Sequence, residues 1–234
     1  MAAWLYLKCI SATVATVATG AQFLFAKGIL WLDAKLIPKV NTFMILKLIF
    51  GRVYEMIDKK HLQPIFNQHG FADFKWMAAK DIIVAQWVRF RCMFGCPQYG
   101  KSCMCPPNVP TIEECREMIS EYNDVAVFHF EKQCENQEDK KAWSRDTALK
   151  LSKLEREVFL AGYYKTLLVS FSSCELCESC IGNRAECKNP SLARPGADSL
   201  GIDVYATVRG IGYPVHVLKD KTESMNRYAF LLIE

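Results

Sequence analysis

The residues with the most chemistry to offer in this sequence are its thiols. Eleven cysteines occur in 234 residues, and ten of them fall between Cys92 and Cys187. In the run CELCESCIGNRAEC, Cys174, Cys177 and Cys180 stand at intervals of three, and Cys187 follows seven residues later. Thiolates that close together on a turning loop can bind three corners of a cubane, the logic of the C-x2-C-x2-C-x3-C-P run of bacterial ferredoxins. In two-cluster ferredoxins the fourth cysteine of such a run serves the other cluster, so Cys187 need not join its neighbours. A structural zinc site more often uses two separated Cys-x-x-Cys knuckles. The spacing therefore points first to [4Fe–4S], one cluster or two, with zinc as the alternative. Unligated core thiols would sit in an apolar pattern. These instead lie among Glu175, Glu178, Ser179, Gly182 and Asn183, a loop composition.

A second cysteine-rich stretch, RCMFGCPQYGKSCMCPPN, holds Cys92, Cys96, Cys103 and Cys105 between Gly95, Pro97, Gly100, Pro106 and Pro107. Such an irregular backbone can aim N–H groups at metal-bound sulfurs. The plainer reading is a Pro- and Gly-rich turn region with incidental thiols. Cys115 and Cys134 are singletons, and a lone cysteine is usually a small core residue. Disulfides are the less fitting use of these thiols. They suit small secreted domains with weak cores, whereas half of this chain is apolar and can build a core without staples.

Other catalytic signatures are faint. His61, His69, His129 and His216 are scattered with no HExxH arrangement, and there is no GxGxxG or P-loop lysine motif. His129 and His216 lie in strand-like runs and read as satisfied sheet residues. Arg194, Asp198, Asp203 and Arg209 surround a helix start, as a salt-linked structural cluster or a polar site.

The elements that must carry these loops read as an α+β fold, a mixed sheet flanked by helices, over residues 56–234. MIDKKHLQPIFNQHG predicts a helix ending at Gly70, with Pro64 its weak point. FADFKWMAA and IIVAQWV read as strands by their β-branched and aromatic content. Thr111 and Glu114 form a T-x-x-E capping box that opens a helix. DVAVFHFE predicts a strand. Residues 140–162 are the strongest helix, with Trp143, Thr147, Leu151, Leu154, Val158 and Ala161 recurring at three and four. KTLLVSF is a strand that feeds the second cysteine loop. SLGIDVYATVRGIG reads as one helix, and PVHVL and YAFLLIE as terminal strands.

The formal net charge is +4, and it resides in the first 55 residues, which hold six basic side chains against Asp33 and Glu55. The remainder is balanced at 23 of each sign, with no nucleic-acid footprint. Residues 1–55 read first as a dispensable or non-native leader, with Met56 as an alternative start. A membrane anchor is the second reading, because the uncharged stretch from Cys9 to Ala26 just reaches spanning length. A signal peptide or a peripheral basic anchor are further readings. The expected location is cytoplasmic, or membrane-associated through this segment alone.

The chain resembles a prokaryotic family of unknown function, described as predicted metal-binding proteins. The resemblance rests on C-x3-CPQYG-x4-CPP (Cys92, Cys96, Cys105), on EREVFLAGYYK, on CELCESC with Cys187, and on ARP followed by GIDVYATVR. It covers about residues 56–234 and implies seven motif cysteines: Cys92, Cys96, Cys105, Cys174, Cys177, Cys180 and Cys187. Cys103 falls where such proteins usually carry another residue. After Arg194-Pro195 the family usually reads Ser-Met-Glu-Ala where this chain has Gly196, Ala197, Asp198 and Ser199, so any acidic role there rests on Asp198. The resemblance supplies no substrate. The expected function is an iron–sulfur protein of redox or electron-transfer type, working with a redox partner protein. The alternatives are a metal-dependent enzyme with an open three-cysteine cluster, and a structural zinc protein.

Overall fold

The computed structural model describes residues 59–220 and 223–234. The expectations for residues 1–55 lie outside the described residues. A helix, α1, covers 59–68 despite Pro64. It is followed by β1 (Phe74–Ala78), α2 (Gln86–Gly95), α3 (Ile112–Ser120), β2 (Asp124–Lys132), α4 (Gln137–Leu160), β3 (Leu167–Val169), α5 (Val204–Gly210) and β4 (Met225–Ile233). The strands form one sheet in the order β1-β2-β4-β3, every pair antiparallel. The fold is thus α+β. Among the described residues no helix is long and apolar enough to cross a membrane.

Strand alternation sends neighbouring residues to opposite faces of the sheet. On one face Val125, Val127, Val169, Phe230 and Leu232 pack with Cys115 and Ile119 of α3 and Val208 of α5. On the other, Ala126, Phe128, Leu168, Leu231 and Ile233 pack with Leu62 and Phe66 of α1 and Leu151, Leu154 and Val158 of α4. The period-3.6 stripe read in residues 140–162 is therefore the face that covers the sheet. Asn136 begins α4 by accepting from the N–H groups of Glu138 and Asp139. The Thr111–Glu114 capping box opens α3 with both of its reciprocal hydrogen bonds.

Three expectations fail. IIVAQWV is not a strand: a 3-10 turn at Ala79–Asp81 leads the chain off β1, Val84 makes only an isolated bridge to Ile202, and α2 starts at Gln86. A short apolar run suits a strand or a packed helix equally, and here packing decides. SLGIDVYATVRGIG is broken in two. Gly201 takes φ +78°, ending a 3-10 turn at Ala197–Leu200, and Asp203 then caps α5 through the N–H of Ala206. PVHVL forms no strand, because the two edges of β4 are already paired with β2 and β3.

Candidate metal centre

The two cysteine segments reach the start of β4 by different routes, and residues of both line one cavity with Met225 and Arg227. Cys92 lies in the last turn of α2, and Cys96 is the first residue past it. The first loop thus follows a helix rather than the expected strand. It then folds on itself: the N–H of Gly100 donates to Pro106 O at 2.9 Å, that of Cys105 to Ser102 O at 3.2 Å, and that of Asn108 to Cys105 O at 2.9 Å. Arg89 ties α2 to its surroundings by donating to the carbonyls of Pro110 and Ser199.

The second loop is tied off at its base. The Ser170 N–H donates to Pro195 O at 2.8 Å, and the Ala197 N–H returns to Ser170 O at 3.0 Å. Gly196 sits in this closure so tightly that a Cβ would lie 2.8 Å from Ser172 O. Arg194 grips Glu155 of α4 through Nε and NH2, both at 2.8 Å, while Glu155 also accepts from the Leu168 N–H. This pair, with Glu155 buried and Arg194 half-buried, anchors the loop to α4 and β3 together. It also corrects the expected cluster: Arg194 pairs with Glu155, Asp198 with Arg91 at 3.0 Å, Asp203 caps α5, and Arg209 donates to Val215 O.

The two loops pack against each other. Cys103, Met104 and Ala193 form a small core of their own, with Cys174, Leu176 and Cys187 against it. Asn108 bridges the loops by donating to Ser102 O and to Gly182 O. The N–H of Cys103 donates to Cys180 Sγ at 3.3 Å, and Asn189 Nδ2 donates to Cys177 Sγ at 3.2 Å. Hydrogen bonds of this kind stabilise thiolate ligands and tune a bound metal.

The seven motif thiols separate into a four and a three. Burial pushes the Cys174 thiol up, and the nearby Cys180, Cys177 and Cys187 raise it further. Burial also opposes ionisation of Cys180, but donors from Cys103, Gly182 and Ser102 outweigh it and bring that thiol below its ordinary value. In the other group burial raises Cys92, with Asp198, Cys96 and Cys105 adding to the effect. Thiolates crowded this way repel one another until a cation neutralises them, so the donor chemistry fits a metal that deprotonates its ligands. Among the described residues no three His, Cys, Asp or Glu side chains converge on the position of one metal ion, and every described cysteine is free.

Cys103, not among the motif cysteines, joins the loops together with Asn108. Asn108 and Asn189 were missed as well; only their place beside the cysteines could have signalled them. Cys115 is a core residue, as a singleton should be. His129 is satisfied by Asp73 at 2.6 Å and Asn226 at 2.7 Å. The three-cysteine group faces a cavity of about 650 Å³, whose walls include Cys92, Cys96 and Cys105.

An α+β domain that packs two cysteine-bearing loops together offers a set of potential metal donors. More specifically, the chain belongs to the family described as "Predicted metal-binding protein (DUF2284)", whose model matches residues 75–233. No curated protein and no solved structure matches it.

Proposed function

We propose that this chain binds iron–sulfur clusters of the [4Fe–4S] type and serves in electron transfer. Cys174, Cys177, Cys180 and Cys187 form one ligand set, and Cys92, Cys96 and Cys105 a second. The observation that carries this reading is the division of the thiols into two neighbouring groups on interlocked loops. A single zinc ion would draw its thiolates to within about 4 Å of one another. Cubane ligands attach to separate irons and stand wider apart. When bound, a cluster supplies one-electron transfer. The chain's own part is to hold the thiolates, to donate N–H bonds to their sulfurs from Cys103 and Asn189, and to shield one side with the Met104–Ala193 core.

The cavity favours a second reading for the smaller set. Three cysteines leave one iron of a cubane without a protein thiolate, and the walls formed by Cys92, Cys96 and Cys105 open onto space large enough for a small substrate. That centre would then be a reaction site fed by the four-cysteine one.

The test is the full chain purified without oxygen. Brown protein with broad absorption near about 400 nm and about four to eight irons per chain, matched by acid-labile sulfide, is expected. Cys177→Ser and Cys96→Ser should each remove the iron of one set only. Colourless protein holding zinc would overturn the reading.

A further inference from the structure

We infer that the cavity beside Cys92, Cys96 and Cys105 is a binding site for a small organic anion carrying two or more carboxylate or phosphate groups. Its volume, about 650 Å³, is that of an ordinary small-molecule site. Its walls come from the start of β4, the first turns of α4, the first cysteine loop and the segment before β4.

Charge selects the ligand. Lys140 and Lys141 of α4 and Arg227 of β4 line this space. Among the described residues none of the three forms an ion pair, and the one polar contact of the Arg227 guanidinium is the Met225 sulfur at 3.6 Å. The other basic side chains of the wall have partners, Arg91 with Asp198 at 3.0 Å and the His216 imidazole with Glu223 at 3.6 Å. Asp198 being so engaged, Glu175 is the one lining carboxylate without a cation among the described residues. Three unpaired cations therefore face a single unpaired acid. The excess is local, since residues 56–234 as a whole hold equal numbers of each sign.

Arg227 is half-buried on the sheet face that α4 covers. A guanidinium in that position has lost part of its hydration without gaining an acceptor, a cost that a bound anion removes. Its planar fork matches a carboxylate or phosphate in bidentate fashion, and the two lysines add point charges. A neutral ligand would leave these groups unpaired, and a cation would be repelled. At the opposite wall the anion lies against the three-cysteine centre; this part of the inference rests on the second reading above, whereas the cationic wall does not.

The experiment is calorimetric titration of the full chain, purified without oxygen, at low ionic strength. The probes are tricarballylate and inorganic phosphate, which separate a carboxylate preference from a phosphate one. Variants are Arg227→Gln and the double change Lys140→Gln with Lys141→Gln. Lys150→Gln with Lys153→Gln, on the exposed part of the same helix, controls for general charge. At least one probe should bind, tenfold or more weaker in each cavity variant and unchanged in the control. Equal weakening in the control, unchanged affinity in the cavity variants, or no binding of either probe would overturn the inference. Iron and sulfide are measured on the same samples. Anion binding lost with metal intact therefore reports on this wall alone, and metal absent with anion binding intact would sink the cluster reading alone.

Discussion

The sulfurs of Cys103 and Cys180 stand 3.4 Å apart, across 77 residues of sequence. This is contact without a bond, since a disulfide would bring them to about 2.05 Å. The Cys103 backbone donates to the same Cys180 sulfur, and its own thiol donates to Asn183 O at 3.1 Å. Burial, followed by the hydrogen bond and charge of Cys180, pushes the Cys103 thiol up to about 11. Burial and Cys180 thus oppose ionisation of Cys103, while its donors favour ionisation of Cys180, which is in keeping with the proposal that Cys180 is a ligand and Cys103 supports it.

That proximity has an oxidative consequence. In metal-free chain exposed to air, Cys103 and Cys180 should form a disulfide, with two protons and two electrons passing to oxygen. In metal-loaded chain Cys180 is engaged and the bond should not form. Peptide mapping without reductant reads both states. A different dominant pair in the metal-free chain, or the same bond in loaded protein, would count against Cys180 as a ligand. Cys103→Ser keeps the backbone N–H and should keep its iron, whereas Cys180→Ser should not.

The Arg194–Glu155 pair should matter more for stability than any surface ion pair. Glu155 is 6% exposed and holds both the guanidinium and the Leu168 N–H. Truncating one partner of a fully buried pair costs about 3–5 kcal/mol; Arg194 is 24% exposed and keeps the Ser191 and Ala193 carbonyls as acceptors, so the low end of that range applies. Glu155→Ala should therefore lose about that much in denaturant unfolding. It should also hold metal less tightly at the second loop, whose exit carries Arg194. By contrast, Lys141→Ala should change stability by less than about 0.5 kcal/mol.

The sheet and its helical cover were legible where periodicity was strong. DVAVFHFE is apolar on both faces and residues 140–162 on one, and the structure buries those faces. The capping box at Thr111 was legible because its signal is local chemistry. What the sequence hid was long-range. IIVAQWV reads as a strand until the sheet order leaves it no partner, and PVHVL fails for the same reason. The concentration of cysteines in two stretches of the chain was legible. The role of Cys103 was not, because it depends on a loop 77 residues away. Arg194 looked like a neighbour of Asp198, and its true partner lies on α4. The cationic wall was invisible, since Lys140, Lys141 and Arg227 come from elements far apart in sequence.

Gly196 offers a test of the loop closure. A Cβ there would lie 2.8 Å from the Ser172 carbonyl and 3.1 Å from its carbon, both backbone atoms that cannot swing away. Gly196→Ala must therefore open the Ser170–Gly196 bridge or shift the base of the second loop. Overpacking of this kind costs about 1–3 kcal/mol. Gly210→Ala, where a Cβ would meet nothing within 4 Å, should be tolerated. Unfolding curves of the two variants compare a backbone collision with open space at otherwise similar substitutions.

Tyr228 makes the fold sensitive to alkali in a defined direction. Its ring stacks on His129 at 5.1 Å, and its hydroxyl donates to the Pro214 carbonyl. Burial, then the charges of Asp73 and Tyr205, raises its pKa from 10.0 to about 12. Tyr213 moves the same way, through burial and then Asp73, whose carboxylate accepts its hydroxyl at 3.1 Å. The folded chain holds the Tyr228 proton more tightly than the unfolded chain does. The corresponding stability is therefore full below pH 10 and is lost progressively as the pH rises toward about 12. Between pH 10 and 11 the wild-type chain should lose about 1 kcal/mol more than Tyr228→Phe, which has no phenol to ionise. Below pH 10 the variant should be the weaker by about 1 kcal/mol, the worth of the missing hydrogen bond. Denaturant unfolding of both proteins at pH 8, 10 and 11 under reducing conditions measures the two slopes. Parallel slopes would mean that Tyr228 ionises in the folded state as freely as in the unfolded one, and the burial argument for it would fall.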